Sequence, residues 1–444
     1  MYIYRNLNRD SKILAFEKME VTSWHKGFYI FFSPENVFTM KDSEYFPAGP
    51  YVVVLKKSFV SGLFDDDIPE DPDLFLDGSK MKVNQINRKI DEAADELGVV
   101  PFRRFHTFNA GFSCYLDSNQ AFAIQEATFV DYLIYNFRIE GRPVHQGRPV
   151  HQGDVVDPTE LKYDPDHKTS CAVRLVGGPV PLTPNNRNKR IWVLDTGVDH
   201  SNNNLNVKTQ HAISFISGEP QAFRDFNGHG THCAALAAGK GNSSPQLGMN
   251  GVSKGAPVVP IKVLDRCGNG DFETLKLGLE HVLLYGSSGE VVLMALGAYN
   301  IVDCSVPGLH LNALIDRIVN KGLFVVMYAG NQSGDAGISY PACYSAPTKA
   351  VTVGAIDFSC SQFEGFAIYS NDGTKVEFVA PGTGVFSAYI RNPSDPGANQ
   401  RFVQMTGTSM SAAIVAGIVH AKGDLPRSIG TVSYKGRTYP IAGI

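Results

Sequence analysis

The alternation of apolar and polar positions divides this chain of 444 residues into stretches with different rules. Residues 1 to 46 are rich in aromatics without a clear period, and they carry no assignable role. Then YVVVLK, Tyr51 to Lys56, reads as a buried strand. Val83, Ile86, Ile90, Ala93, Ala94 and Leu97 follow at helical spacing, with Lys89, Asp91, Glu92, Asp95 and Glu96 opposite them. Phe102 to Leu116 predicts a strand pair around Asn109-Ala110-Gly111, Asn119 to Glu126 a short helix, and Phe129 to Tyr135 a last strand. The order β-α-β-β-α-β predicts a small ferredoxin-like α+β domain over residues 47–139.

Residues 140–175 read as a linker. GRPVHQGRPVHQG, at 141 to 153, repeats one hexapeptide and is built of proline, glycine and polar residues. Its plain reading is a spacer; its sharper reading is a processing region that His145 and His151 make sensitive to mild acid. From about Lys189, continuous apolar runs alternate with helical stretches: RIWVLD, APVVPIKVLD, EVVLMALG, GLFVVMYAGN and AVTVGAID, with helices such as Thr274 to Leu284 and Leu311 to Asn320 between them. This predicts an α/β domain over 176–444, a mostly parallel sheet covered by helices on both faces. Ligand chemistry in such sheets belongs at the carboxyl ends of the strands.

Composition narrows the classes. With 43% hydrophobic and 19% charged residues, the chain has material for two globular domains. A net charge of -4 provides no basic footprint for nucleic acid and no polybasic patch for a membrane surface. Apolar runs such as Gly27 to Ser33 and Val291 to Ala298 are too short to span a bilayer. The opening MYIYRNLNRDSK lacks the apolar region of a signal peptide. Seven cysteines without a CxxC spacing argue against zinc, and one or two disulfides are expected. The nearest pairs in sequence are Cys343 with Cys360 and Cys267 with Cys304.

Four polar residues fall where a parallel sheet places chemistry. Asp195 ends IWVLD, although an aspartate there is also a common turn cap. His229 opens an alanine-rich helix in DFNGHGTHCAALAAG, where the helix N-terminus disfavours an imidazolium and keeps a general base neutral. His232 and Cys233 raise a metal cluster, but HGTH has neither the i, i+4 spacing nor the glutamate of HExxH, and His232 reads as a packed structural residue. Ser409 starts a helix from about Met410 to His420, where it is either a cap or a nucleophile beside free N–H groups; Ser411 fits the structural role better. Asn331 closes YAGN and offers an amide to a developing oxyanion. Asn331-Gln332-Ser333 is also a glycosylation sequon, but Asn242-Ser243-Ser244 is the better acceptor.

Taken together, DTGVD at 195 to 199, NGHGTHCA at 227 to 234, YAGN at 328 to 331 and GTSMSA at 407 to 412 resemble the subtilisin family of serine proteases, in that family's order Asp, His, Ser. The cysteine after GHGTH, the phrase VLDRCGNGD, and KGDL before GTV resemble the proteinase K-like branch, and residues 47 to 139 resemble an inhibitor-type propeptide. The resemblance implies a subtilisin-like fold and acyl transfer on a peptide bond, with Ser409 as nucleophile, His229 as general base and Asp195 orienting it. It implies that Asn331 and the Ser409 N–H hold the oxyanion. Leu296-Gly297 and Ala329-Gly330 would line the substrate cleft, the first pair beside an edge that takes peptide as an added strand. Ser339 would lie near the floor of the specificity pocket, suiting a medium apolar or aromatic residue. No cofactor is implied beyond a weakly supported structural calcium, because Asn204 stands where relatives carry an aspartate.

The expectation is therefore a secreted, monomeric serine endopeptidase made as a zymogen, with protein or peptide substrates and its own propeptide as intramolecular inhibitor. The competing expectation is an inactive homologue that acts by binding a protein. Ala295 replaces the usual serine before Leu-Gly, and Ala413 and Ile414 replace the usual proline and histidine. IVAGIVH also runs directly into AKGDL, a gap expected to uncover part of the sheet. An α/β-hydrolase fails because Ser411 takes the last glycine's place in GxSxG.

Overall fold

The computed structural model describes residues 48–60, 72–105, 110–146, 150–151, 157, 159–241, 247–299, 305–344, 348–390 and 401–444. Residues 1–46, the Asn242 sequon and Cys304 lie outside the described residues. Two compact units divide the chain between Phe137 and Arg138, with Ser305–Pro307 grouped with the first.

The first unit follows the β-α-β-β-α-β order: strand Gly49–Leu55, helix Pro72–Glu96, strands Arg103–Phe105 and Gly111–Leu116, helix Ser118–Gln125, and strand Val130–Tyr135. The first strand lies centrally, antiparallel to both Gly111–Leu116 and Val130–Tyr135, with Arg103–Phe105 outermost. Ile86, Ile90, Ala93 and Ala94, the stripe read from the sequence, pack with Val53, Phe112 and Leu133. Asp117 caps the short helix reciprocally with Gln120, which satisfies two otherwise free N–H groups.

The second unit is built on a sheet of eleven described strands. Its parallel core runs Pro257–Lys262, Ile191–Asp195, Val291–Met294, Phe324–Tyr328, Ala350–Phe358 and Phe378–Pro381 in spatial order. These are the apolar runs of the sequence, and their unbroken apolar character fits strands buried on both faces. The helices His229–Ala238 and Thr408–Lys422 bury almost every side chain, their small residues permitting close approach. A Cβ on Gly417 would stand 2.7 Å from the Ala237 carbonyl. Ala413 and Ile414 are fully buried in this core, so the departure from proline and histidine is absorbed as packing.

After Gly423 ends the helix Thr408–Lys422 in a left-handed turn, a hairpin of Arg427–Tyr434 and Arg437–Gly443 extends the sheet, with Ile441 beside Val379. Tyr439 and Ile441 are buried there, whereas Ile429 on the outer strand is 43% exposed.

Two sequence expectations need correction. Cys360 pairs with Cys171, 189 residues away, rather than with Cys343, and Cys267 is a free exposed thiol rather than a partner of Cys304. Proximity in sequence misled because a parallel sheet brings distant segments together. The GRPVHQ segment is also not a free spacer: Arg138–Glu140 pairs with Asn269–Asp271, and His145–Gln146 and Val150–His151 pair with Arg401–Thr406.

Closing so long a loop restricts the unfolded chain, so Cys360→Ser should cost about 2–4 kcal/mol of stability. The check is the urea midpoint of the second unit's unfolding, which should fall; an unchanged midpoint would contradict this role for the bridge.

Candidate active site

All the residues that follow belong to the second unit. Asp195 is the last residue of a fully buried strand, and the backbone N–H of Thr196 donates to its Oδ1 at 2.7 Å. His229, the first residue of its helix, places Nδ1 2.9 Å from both Asp195 carboxylate oxygens, and both side chains are fully buried. Gly228, at φ +100°, lets the chain enter this helix where a Cβ would come within 2.0 Å of the Tyr389 ring.

Ser409 is the second residue of the helix Thr408–Lys422, where the first-turn N–H groups have no helical acceptor. The helix has no side-chain cap, so Ser409 is not spent as one. Its hydroxyl donates to the Ala295 carbonyl at 3.1 Å, while the buried His229 Nε2 finds no hydrogen-bond partner among the described residues. The contact is made by the backbone of Ala295 and does not depend on that residue's side chain. Ser411 donates to the Ala380 carbonyl at 2.9 Å, in keeping with a structural role.

Asn331 is oriented by Thr408: its Oδ1 accepts from the Thr408 N–H and hydroxyl, each at 2.8 Å, which leaves the amide Nδ2 near Gly407. Gly330, at φ +100°, donates its N–H to the Thr408 hydroxyl at 3.2 Å, and a Cβ there would meet Asn371 Nδ2 at 2.3 Å and Ser339 Oγ at 2.8 Å. The neighbouring Ala329 carbonyl accepts from Asn371 at 3.0 Å. Ser339 is buried in a short strand paired with Ala298–Tyr299. Leu296 is fully buried, and Gly297 exchanges backbone hydrogen bonds with Glu140 at 2.8 and 3.0 Å. With Asn269–Asp271 on its other side, Arg138–Glu140 completes a narrow antiparallel arrangement beside Leu296-Gly297.

Supporting residues escaped the sequence reading. Asp225 accepts from the Thr196 hydroxyl, from the N–H groups of Asn227, Gly228 and Thr231, and from the Thr231 hydroxyl, tying the turn after Asp195 to the start of the histidine helix. Lys262 is fully buried and donates to the carbonyls of Thr196 at 2.6 Å and Leu264 at 2.9 Å while pairing with Glu219 at 2.8 Å. Only the DFNG phrase hinted at Asp225. A lysine within an apolar strand carries no such signal.

Electrostatics separate the two histidines. Burial disfavours the His229 imidazolium, but the Asp195 carboxylate, by charge and hydrogen bond, outweighs it and holds the ring above its ordinary pKa. His232 is pushed down to about 3 by burial and by its neighbour His229, and its Nε2 lies 3.1 Å from the Val385 carbonyl. Asp195, His229 and Cys233 bring their donor atoms within 4.8 Å of one another. Burial raises the Cys233 thiol well above its usual range, and His232 faces elsewhere.

The subtilase family model matches residues 186–422, which include all four of these polar groups. The chain belongs to the subtilase family. A thermostable alkaline protease of Halalkalibacterium halodurans is 34% identical over 52% of this chain and 55% of its own length. Subtilisin Savinase of Lederbergia lenta is 35% identical over 51% of this chain and 73% of its own. A solved cold adapted subtilisin-like serine proteinase is 26% identical, covering 57% of this chain and 85% of that one at a TM-score of 0.43. The chain spans about half the length of the first curated relatives it matches. The α/β expectation for the second unit stands, on the family match and the parallel sheet, as a subtilisin-like fold.

Because His229 is raised in the folded subtilase unit, its contribution to stability is full below the unfolded pKa and lost as pH rises through the folded one. Removing the carboxylate charge with Asp195→Asn leaves burial opposed only by the smaller influence of Asp225, so the His229 ring should titrate lower than in the wild type. NMR titration of the ring protons checks this; an unmoved titration would contradict the assigned cause.

Proposed function

We propose that this subtilase is a serine endopeptidase made as a zymogen, of the proteinase K-like branch and secreted. The observation that carries the reading is the buried Asp195–His229 bond, at 2.9 Å, with Ser409 and Asn331 at the start of the neighbouring helix. For chemistry, the Ser409 hydroxyl turns from the Ala295 carbonyl to His229 Nε2, which takes its proton as Oγ attacks the scissile carbonyl. His229 returns that proton to the leaving amine, and Asp195 stabilises the imidazolium formed between the two steps. Asn331 Nδ2 and the Ser409 N–H receive the oxyanion. No cofactor enters these steps. At the position considered for calcium, Asn204 Oδ1 already accepts from the Met249 N–H at 2.9 Å, which argues for a neutral amide bracing the loop.

Protein and peptide substrates fit the groove between Asn269–Asp271 and Gly297, where Arg138–Glu140 lies as an added strand. A Cβ at Gly330 would meet Ser339 Oγ at 2.8 Å, so the two residues stand side by side, in keeping with Ser339 near the floor of a pocket for a medium apolar or aromatic side chain. The first unit, with its small antiparallel sheet and two helices, suits an inhibitor-type propeptide acting on its own monomeric enzyme.

The test displaces the cleft strand and probes the serine. Ile139 is fully buried, so Ile139→Asp places a carboxylate where it has no water and should expel the strand. A fluorophosphonate should then label the folded, full-length Ile139→Asp chain at Ser409, and not its Ser409→Ala control. Folded protein that stays unlabelled would sink the enzyme reading and favour the binding homologue, to which the Ser409–Ala295 contact lends some support. In the unlabelled Ile139→Asp background, Asn331→Ala should lower kcat by about 100- to 1,000-fold with KM little changed, the loss known for the corresponding donor of subtilisin itself. Initial rates on a peptide substrate check it.

A further inference from the structure

The chain crosses its own triad in the space of two residues. On one side, the Gly141 N–H donates to the Gly268 carbonyl at 3.0 Å, one residue after Glu140 is fixed to Gly297. On the other, the Val144 N–H donates to the Thr406 carbonyl at 2.7 Å, three residues before Ser409, and His145 and Gln146 then pair with Thr406 and Met405. Only Arg142 and Pro143 lie between these anchors.

With residues 139–144 lying in the cleft as an inhibitor-type propeptide would place them, we propose that the Arg142–Pro143 bond stands at the scissile position and that Pro143 keeps it from being cut. The inference rests on the peptidase reading and adds to it the means by which the site is held shut. Cleavage would join Ser409 Oγ to the Arg142 carbonyl carbon and pass the hydroxyl proton to His229. The bond to the Pro143 nitrogen would then break as His229 returned the proton to that nitrogen, leaving an acyl ester and an N-terminal proline. The ring works against this last step. Proline carries Cδ where another residue carries its amide hydrogen, so the nitrogen is crowded on the side that must meet the imidazole, and its φ is fixed near −65°.

Several contacts hold the ligand in place. Ile139 is fully buried, and a Cβ on Gly141 would come within 2.5 Å of Leu264 Cδ1, so the glycine lets the strand sit close. Arg142 Nε donates to the Cys267 carbonyl at 3.0 Å. Gln146 donates to the Tyr389 hydroxyl at 3.0 Å, and that hydroxyl donates to the Asn227 carbonyl at 2.8 Å, two residues before His229. The second hexapeptide continues on the same strand, Val150 beside Phe402 and His151 beside Arg401. The nucleophile meanwhile points to Ala295 rather than to its base.

The experiment compares full-length wild type, Pro143→Ala, and Pro143→Ala with Ser409→Ala, followed by intact mass and N-terminal sequencing. Pro143→Ala should cut itself between residues 142 and 143 at a rate independent of protein concentration; the double variant and the wild type should stay whole at that bond. Fluorophosphonate labelling of Ile139→Asp should outpace the wild type by about tenfold if the ligand fills the cleft nine-tenths of the time. Wild type that cuts itself at this bond as fast as Pro143→Ala would overturn the role of the proline. Equal labelling of wild type and Ile139→Asp would overturn the filled cleft while leaving the peptidase reading intact. Uncut Pro143→Ala beside a well-labelled Ile139→Asp would also overturn the proposal, and no labelling in either would remove both readings.

Discussion

The Asp195 carboxylate, buried at the end of an all-apolar strand, is the constraint on which the site depends. An unpaired charge there would be costly, and the costs of burial are met by specific partners: the Thr196 N–H and the His229 ring. That pairing fixes the ring's orientation and tautomer, and raises its affinity for a proton despite burial. A helix must therefore begin at residue 229, at a defined distance from the strand end. Gly228 at positive φ and the hydrogen bonds to Asp225 make that start possible.

A second buried charge supports the first. Lys262 sits on the strand beside Ile191–Asp195, paired in register with Asp195, and its ammonium reaches the carbonyl just past it. Its partner Glu219 also holds Arg266, the residue before the turn that leads to Asn269–Asp271. The strand end at Asp195 and the strand Asn269–Asp271 are thus braced by one carboxylate. Such buried pairs add little to net stability, but breaking one partner is strongly destabilising, which suits a role in fixing geometry.

Much of this was legible beforehand, for identifiable reasons. The strands of the second unit showed because parallel-sheet cores are continuously apolar, and the later part of the helix 72–96 because its stripe from Val83 to Leu97 recurs at 3.6 residues. Asp195, His229, Asn331 and Ser409 were readable only as a set of motifs, since Asp195 and Ser409 each have a capping explanation and Asn331 opens a glycosylation sequon. What stayed hidden depends on three-dimensional proximity: the Cys171–Cys360 bridge, the hub at Asp225, the buried Lys262, and the GRPVHQ segment as a strand. Proline and glycine in that segment signal a loop by local propensity. Backbone hydrogen bonds to Gly268, Gly297 and Thr406 override that signal, because an extended chain needs no side-chain periodicity to occupy a groove.

The central claim is that the strand-end carboxylate, the helix-start imidazole and the serine act as one unit. A double-mutant cycle on peptide hydrolysis, comparing Asp195→Asn, Ser409→Ala and both together in the Ile139→Asp background, tests it most directly. If the three act together, the double variant is no slower than Ser409→Ala alone, because the carboxylate has nothing left to assist. Losses that multiply would contradict the account and assign Asp195 a role independent of the serine.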